Sequence, residues 1–427
     1  MHQPVPRPAT GRIPPLIKRN TVLFALSQSF MGAGTQLGYG VGPLMVIALT
    51  GSASLAGLTV ALFGISRFLV AYPVGKITDT YGRKPGIQLG LGLALVGTVT
   101  VGISMLLHSV AGFTVGMLLF GMGFNAAQQL RVAAADMFPP RLRAQALGLV
   151  ATGSVVGLAF GPLLMWLSEM IASRTGLEAI ALPWLMVPTL ILVGMVLVTF
   201  VRPDPKEIGM NLEHYYPDYR PPGRHPGAVG LVAKFNAWSL FRFRPTRLAI
   251  ISNCAGQGNM SIVMVLTSLV LAHHGYSLTE ILLSHMFHSA GMFAFTIPLG
   301  RLADRHGREK VMYPGVAITL VGAILVTFIG DYWMVTLGTF LVGLGWSAAN
   351  VASTALIADH AETAHRGRAI GVSDSGSGAM TVLAAAVTGP LVECTSLPAA
   401  GVAAVLIALV PLVLLMATLG PRWRRAT

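Results

Sequence analysis

Residues 75–84 read GKITDTYGRK and lie between two long apolar runs. Because an acid and several bases cannot lie unpaired in lipid, this stretch predicts a charged hairpin that joins two membrane helices at the membrane surface. Its glycines, Gly75 and Gly82, allow close packing and a backbone turn that other residues rarely adopt. The hairpin therefore indicates an all-α integral membrane protein.

The hairpin has a copy 225 residues further along the chain. Residues 300–310 read GRLADRHGREK and repeat the pattern Gly-basic-x-x-Asp-x-x-Gly-Arg. Shorter matches occur at nearly the same offset, such as Ala135-Asp136 with Ala358-Asp359. A repeat at this spacing predicts two similar halves, and parallel repeats of this kind place a binding site between them near the membrane midplane.

The composition is that of a membrane protein. The 427 residues are 54% hydrophobic and only 11% charged, whereas soluble domains average about 25% charged residues. The net charge of +13 arises from 29 Lys and Arg residues, nearly all of them in segments predicted on one side of the membrane. Such a bias follows the positive-inside rule and argues against a nucleic-acid partner. The two cysteines lie in apolar runs, so neither a disulfide framework nor a metal site is expected.

Twelve apolar runs are long enough to cross a membrane, which takes about 20 residues. The predicted spans are residues 21–49, 53–77, 86–107, 110–137, 144–171, 180–201, 246–273, 277–302, 311–330, 332–359, 367–393 and 398–420. They predict a cytoplasmic tail (1–20), a six-helix bundle (21–201), a cytoplasmic linker (202–245), a second six-helix bundle (246–420) and a C-terminal tail (421–427). The linker is rich in proline and Lys/Arg, as a loop held at the cytoplasmic face requires.

This arrangement resembles the major facilitator superfamily of secondary transporters over nearly the whole chain. The hairpin is similar to that superfamily's signature, Gly-x-x-x-Asp-x-x-Gly-Arg-Lys, between its second and third helices. A second segment, Gly148-x8-Gly157-x3-Gly161-Pro162 in the fifth span, resembles the antiporter motif of the drug/proton branch. The resemblance implies twelve transmembrane helices in two six-helix pseudo-repeats and transport by alternating access. Close helix packing is the simpler explanation of the fifth span's glycines, and a leak-tight conformation is the alternative.

The hairpins and their neighbours predict a gate. Asp79 can face the positive N-terminal end of the eleventh helix, and Arg83 can reach Asp136 at the end of the fourth. The alternative is an anchor that only fixes the orientation of the loops. The candidate gating residues in the two halves are Gly75, Asp79, Gly82, Arg83, Lys84 and Asp136, and Gly300, Asp304, Gly307, Arg308 and Asp359.

Ionisable residues inside the apolar runs are candidates for substrate binding and proton coupling, because each is costly unless paired or hydrated. Arg67 lies too deep to snorkel easily; it either attracts an anionic group in a cavity or pairs with an acid such as Asp374. Arg131 is shallower and is expected to be structural or to snorkel. Asp374, His285 and His288 are candidate proton carriers, although a buried neutral histidine is the more common case.

Polar residues cluster in the first, fourth, seventh and tenth spans, which surround the central cavity in the superfamily. With Arg67, the candidate cavity residues are Gln28, Gln36, Asn125, Gln128, Gln129, Asn253, Gln257 and Asn350. Some are expected to bridge helices instead.

The sequence contains no nucleotide-binding glycine loop, metal-ligand cluster or nucleophile elbow, so an enzyme is not expected. Without a cofactor or an ATP site, a proton gradient is the simplest energy source. We expect a proton-coupled transporter that exports a small organic molecule or drug. The alternatives are uptake of a small, anionic metabolite and a transport-inactive membrane sensor or assembly protein. We also expect a functional monomer in the lipid bilayer of a bacterial inner (plasma) membrane, with both termini cytoplasmic.

Overall fold

The computed structural model describes residues 13–139, 142–217, 219, 237–360 and 366–423. Helices make up nearly all of this part of the chain, and it contains no β-strand. A bilayer offers no water to satisfy backbone polar groups, so helices that satisfy their own are the expected spanning elements. Ten helices in the described residues are long and apolar enough to cross a membrane. The first two spans, which carry Gln28, Gln36 and Arg67, complete a set of twelve.

The first half contains six spans, which we number α1 to α6. They are α1 (Pro15–Gly40, continued by Gly42–Thr50), α2 (Leu58–Tyr81), α3 (Arg83–Leu106), α4 (Val110–Ala127, continued by Gln129–Asp136), α5 (Arg143–Gly157, continued by Phe160–Thr175) and α6 (Leu182–Thr199). Span α1 begins at Pro15 rather than at residue 21, since proline suits the first turn of a helix. The helix therefore begins within the predicted N-terminal tail.

The second half contains α7 to α12. They are α7 (Arg244–His273), α8 (Leu278–Ala294, continued by Thr296–His306), α9 (Glu309–Phe328), α10 (Tyr332–His360), α11 (Arg366–Cys394) and α12 (Leu397–Trp423). The helix of span α12 continues to Trp423, past the predicted limit of residue 420. We call the end of the bundle that carries the α2–α3 and α8–α9 connections the hairpin face. The opposite end, with the α1–α2 and α7–α8 connections, is the far face.

Proline accounts for three of the four breaks within spans. Pro43, Pro162 and Pro298 follow the breaks in α1, α5 and α8 by two to four residues. Each proline lacks an N–H, and its ring crowds the carbonyl four residues earlier, which favours a break at that place.

The described parts of the linker are partly helical, with short helices at Pro205–Met210, Leu212–Tyr215 and Ala237–Arg242. The first of them packs on the hairpin face, because Gly209 lies against the backbone of Asp136. The phenol of Tyr216 donates to the carbonyl of Met137 at 3.4 Å, and burial raises the pKa of Tyr216 to about 12. The described part of the linker before residue 217 thus packs on the first half.

Glycines set the closest helix contacts in each half. Spans α3 and α4 meet at Gly97 and Gly116, and their counterparts α9 and α10 meet at Gly322 and Gly338. Span α5 packs on α1 so closely that a β-carbon on Gly153 would collide with the carbonyl oxygen of Ala25. Small residues let helix backbones approach in this way within a membrane.

We predict that Gly153→Ala destabilises the protein. The added methyl meets backbone that cannot rotate away, and overpacking of this kind costs about 1–3 kcal/mol. The apparent melting temperature of the purified protein in detergent should fall. Gly92→Ala in α3 is the matched control, because its β-carbon meets nothing within 4 Å. A melting temperature for Gly153→Ala equal to that of the control would contradict the prediction.

Candidate functional site

A cavity of about 520 Å³ lies between the two halves. Its walls come from the middle of the spans and from their portions nearer the hairpin face. Its apolar wall is rich in aromatic rings and methionines: Tyr39, Phe63, Phe124, Met260, Met264, Met292, Phe293 and Trp346. This size and lining suit a small organic ligand.

Most of the predicted cavity residues line this space. They are Gln28, Gln36, Arg67, Asn125, Gln128, Gln129 and Gln257. The amide of Gln36 accepts a bond from Ser289 across the halves at 3.4 Å. Gln257 accepts from the indole N–H of Trp346 at 3.0 Å, which holds that ring in place.

Asn253 and Asn350 do not line the cavity, which corrects their prediction. Asn350 donates to Asn253 at 2.8 Å, and Asn253 donates to Ser373 at 3.0 Å. The two amides therefore tie α7, α10 and α11 together. Sequence position alone does not distinguish the cavity side of a helix from the side that faces a neighbouring helix.

Arg67 and Asp374 pair across the halves. The guanidinium of Arg67 in α2 lies 3.9 Å from the carboxylate of Asp374 in α11. Their side chains are 55% and 44% exposed, so both remain accessible to solvent. Arg67 thus lines the cavity and also has the acidic partner that was one of its two alternatives, whereas its attraction of an anionic group stays a prediction.

Arg131 was expected to be structural or to snorkel, but it lines the cavity. Its guanidinium donates to the hydroxyl of Ser154 at 3.1 Å and lies 5.6 Å from the centre of the Phe293 ring. The described residues supply no carboxylate partner, and its Nε is buried without a hydrogen bond. Its contacts with Ser154 and Phe293 agree with a structural role, but its position in the cavity wall was missed from the sequence.

His285 and His288 are both fully buried in α8 and point to different helices. The Nδ1 of His285 lies 2.9 Å from the carbonyl of Ile281, and its Nε2 lies 3.3 Å from that of Met264 in α7. The Nδ1 of His288 lies 2.7 Å from the carbonyl of Thr339 in α10. Only His288 lines the cavity, and the role of either ring in proton coupling stays a prediction.

The two hairpins form similar charge networks. Arg83 donates to Asp136 at 2.7 Å in the first half, and Arg308 donates to Asp359 at 3.1 Å in the second. Arg308 also pairs with Asp304 one turn earlier on the same chain segment. These contacts match the prediction, although their function in gating stays a prediction.

Both hairpins turn at a glycine. Gly82 and Gly307 have φ of 107° and 102°, a region that side chains disfavour. Gly75 lies in α2, Lys84 in α3 and Gly300 in α8. The side chain of Asp79 lies outside what the structure describes, so its contact with α11 stays a prediction.

Asp204 of the linker is a hairpin contact that the sequence did not reveal. Its carboxylate accepts from the backbone N–H groups of Arg83 and Lys84 at 3.0 Å each. These N–H groups belong to the first turn of α3, where a negative charge is favourable. Asp204 is 120 residues from Lys84 in the chain, and no local sequence pattern links this single acid to the hairpin.

The glycines of α5 serve close packing in this structure. Gly157 abuts the backbone of Ser29, and a β-carbon on Gly161 would lie 2.8 Å from that of Gln36. Pro162 is buried at the break in the helix. The surroundings of Gly148 lie outside what the structure describes.

Two carboxylates join the halves at the far face. Glu169 in α5 accepts from the hydroxyl of Thr279 in α8 at 2.6 Å and from its N–H at 3.2 Å. Glu393 in α11 accepts from the hydroxyl of Ser52 at 2.9 Å and from the N–H of Ser54 at 2.5 Å. These contacts fasten the far face, and neither acid was singled out from the sequence.

Solved structures share this fold. A nucleoside transporter, NupG (D323A mutant), superposes with a TM-score of 0.70 at 13% sequence identity, covering 94% of this chain and 99% of that one. At this identity the likeness concerns the fold alone.

Curated relatives match over most of their length. YdeG of Bacillus subtilis, an uncharacterised transporter, is 28% identical, and the riboflavin transporter RfnT of Brucella anthropi is 24% identical. The multidrug resistance protein MdtG of Enterobacter lignolyticus is 26% identical. Each match covers 84% of this chain, and the shares of the relatives covered are 82% for YdeG, 85% for RfnT and 82% for MdtG.

The family model of the Major Facilitator Superfamily matches residues 23–287 and 248–426. Twelve spans in two similar halves, the paired hairpins and the central cavity agree with that match. The chain belongs to the Major Facilitator Superfamily and is a multi-pass membrane transporter.

Proposed function

We propose that the protein is a proton-coupled secondary transporter that works by alternating access and exports a small organic molecule. Its family membership establishes transport; the coupling ion, the direction and the substrate class are our proposal. The hairpin face carries the basic connections, so we place it and both termini in the cytoplasm of a bacterial cell. We expect the protein to act as a monomer.

The observation that carries the proposal is the position of Asp374. A carboxylate within a membrane span is costly, and here it lies beside Arg67 between the two halves. Protonation removes its charge and releases Arg67 from the pair. A proton bound at Asp374 therefore changes an interaction between the halves, which is what coupling requires. Neither His285 nor His288 reaches solvent in this conformation, so we favour Asp374 as the proton carrier.

Alternating access is supported by the distribution of contacts. The acids Glu169 and Glu393 join the halves at the far face, whereas the cavity extends toward the hairpin face. This is the arrangement of an inward-facing carrier. Closing the hairpin face and opening the far face would expose the same cavity to the other side.

Export is favoured by the similarity to MdtG, a multidrug resistance protein, and by the resemblance of the α5 segment to an antiporter motif. Uptake is the second candidate. It is favoured by the two arginines in the cavity wall and by the similarity to RfnT, a riboflavin transporter. A transport-inactive sensor is disfavoured, since both hairpin networks and the cavity are intact.

We predict that Asp374→Asn uncouples transport from protons. Purified protein is reconstituted in liposomes that enclose a pH-sensitive dye, and a panel of dyes, drugs and organic anions is added under an imposed pH gradient. The wild type should move protons when a transported compound is added. Asp374→Asn should lose nearly all of this movement but retain exchange of the same compound across the membrane, because exchange needs no net proton transfer.

Glu213→Gln, at an exposed linker position, is the matched control and should behave as wild type. Full pH-driven transport by Asp374→Asn would exclude Asp374 as the proton carrier. If no compound of the panel moves in response to the gradient with the wild type, the sensor becomes the better interpretation.

We also predict that Asp136→Asn slows transport severalfold. The amide has the size of the carboxylate but cannot form an ion pair with Arg83, so the hairpin network is weakened while the helix is kept. Initial rates should fall with little change in the apparent affinity for substrate, because Asp136 does not line the cavity. An unaltered rate would support the alternative, in which the hairpin only anchors the loops.

A further inference from the structure

We propose that Arg131 is the site that binds the acidic group of the substrate, and that the substrate is a small organic anion with an aromatic ring. This inference rests on the proposed transport function and adds the chemical class of what is carried. The anionic group can be a carboxylate, sulfonate or phosphate, since each presents charged oxygen atoms to a guanidinium.

The cavity wall is positively charged. Arg67 and Arg131 line it, and no Asp or Glu is among its described lining residues. A cavity of this kind attracts anions and repels cations, and the low polarity of its walls strengthens both effects. A cationic drug would therefore meet an unfavourable potential.

The two arginines differ in their partners. Arg67 has a resident counter-ion in Asp374, at 3.9 Å. Among the described residues, the guanidinium of Arg131 donates a hydrogen bond to the hydroxyl of Ser154 and faces the Phe293 ring, with no carboxylate beside it. Because a half-buried charge is favoured to find a partner, Arg131 is the one that can take an anion without first displacing another.

Other polar atoms of the same wall also lack hydrogen-bond partners. Buried atoms of Gln28, Gln36, Gln129 and His288 form no hydrogen bond with the part of the chain that the structure describes. They include amide oxygens, which accept, and an amide nitrogen, which donates. A ligand with both donors and acceptors satisfies them, as water also can.

Aromatic side chains supply a surface for a ring. Tyr39 and Phe63 are stacked with their centres 4.8 Å apart, and Trp346 is held by its bond to Gln257. Flat rings packed beside aromatic walls bury apolar area in a preferred geometry. Together with the arginine, this wall fits an aromatic anion better than an aliphatic one.

The position of Arg131 also connects binding to the conformational change. Its guanidinium comes from α4 in the first half, and the ring that it faces, Phe293, comes from α8 in the second. An anion bound here touches both halves. Its presence therefore favours a closer approach of α4 and α8, which closure of the hairpin face requires.

The first test measures binding by calorimetry with 2-naphthoate and its neutral amide, 2-naphthamide. The wild type should bind the carboxylate more tightly than the amide. Arg131→Gln should weaken naphthoate binding by roughly tenfold or more and leave naphthamide binding unchanged, while Arg131→Lys keeps part of the preference. Arg174→Gln, on an exposed residue at the far face, is the matched control. Equal binding of the two compounds by the wild type, or no binding of either, would overturn the substrate class.

The second test needs no substrate. Ser154→Cys is introduced after Cys254 and Cys394 are replaced by serine, and the thiol reacts with an anionic or a cationic methanethiosulfonate of similar size. The ratio of the anionic to the cationic rate should fall by roughly tenfold or more on Arg131→Gln, since one charge acts on both reagents in opposite directions. Taking a ratio cancels any change in the reactivity of the thiol itself.

A protein that retains only Cys394, which is exposed at the end of α11, provides the control, and its ratio should not respond to Arg131→Gln. An unchanged ratio for the thiol introduced by Ser154→Cys would overturn the anion site even if transport is demonstrated. A ratio that falls in a protein without pH-driven transport would instead support the site and contradict the proposed function.

Discussion

The structure depends on one constraint: a charge inside a membrane protein must have a partner or reach water. At the hairpin face the constraint is met by the ion pairs Arg83–Asp136 and Arg308–Asp359. Deeper in the bundle, Arg67 and Asp374 meet it by pairing across the halves. Each of these pairs joins two different helices, so the same contacts that satisfy the charges also hold helices together. Arg131 has no carboxylate partner among the described residues and faces the cavity instead, and this position locates the anion site that we propose.

Both hairpins pair an arginine with an aspartate on another helix, and the first hairpin also contacts the linker. Gly82 and Gly307 adopt nearly the same backbone conformation, which explains why glycine recurs at this place in both copies. In the first half, however, Asp204 from the linker accepts bonds from the start of α3. In the second half, Arg308 pairs with Asp304 on its own segment as well as with Asp359. Asp204 therefore connects the first hairpin to the linker between the halves.

Local patterns in the sequence predicted the features that depend on residues close together in the chain or on a repeated motif. Apolar length predicted the spans, and the repeated hairpin predicted the two halves and the pairing of Arg83 with Asp136. Contacts between distant segments were missed, as with Asp204 and with the bridge formed by Asn253 and Asn350. The sequence does not indicate in which direction the side chain of a single polar residue in an apolar run points. For that reason Arg131 was interpreted from its depth alone, and its depth was a poor guide to its surroundings.

The contacts at the far face are related by the same symmetry as the two hairpins, although no repeated sequence motif marks them. Glu169 near the end of α5 bonds to Thr279 at the start of α8, and Glu393 near the end of α11 bonds to the segment before α2. Spans α5 and α11 occupy equivalent places in the two halves, as do α8 and α2, so a pseudo-two-fold axis relates the two contacts. Each carboxylate accepts one hydroxyl and one backbone hydrogen bond, Glu169 from Thr279 and Glu393 from Ser52 and Ser54. Hydrogen bonds of this kind are modest in net strength. A carrier must break its far-face contacts in every cycle, and a pair of such bonds closes the face without making it permanent.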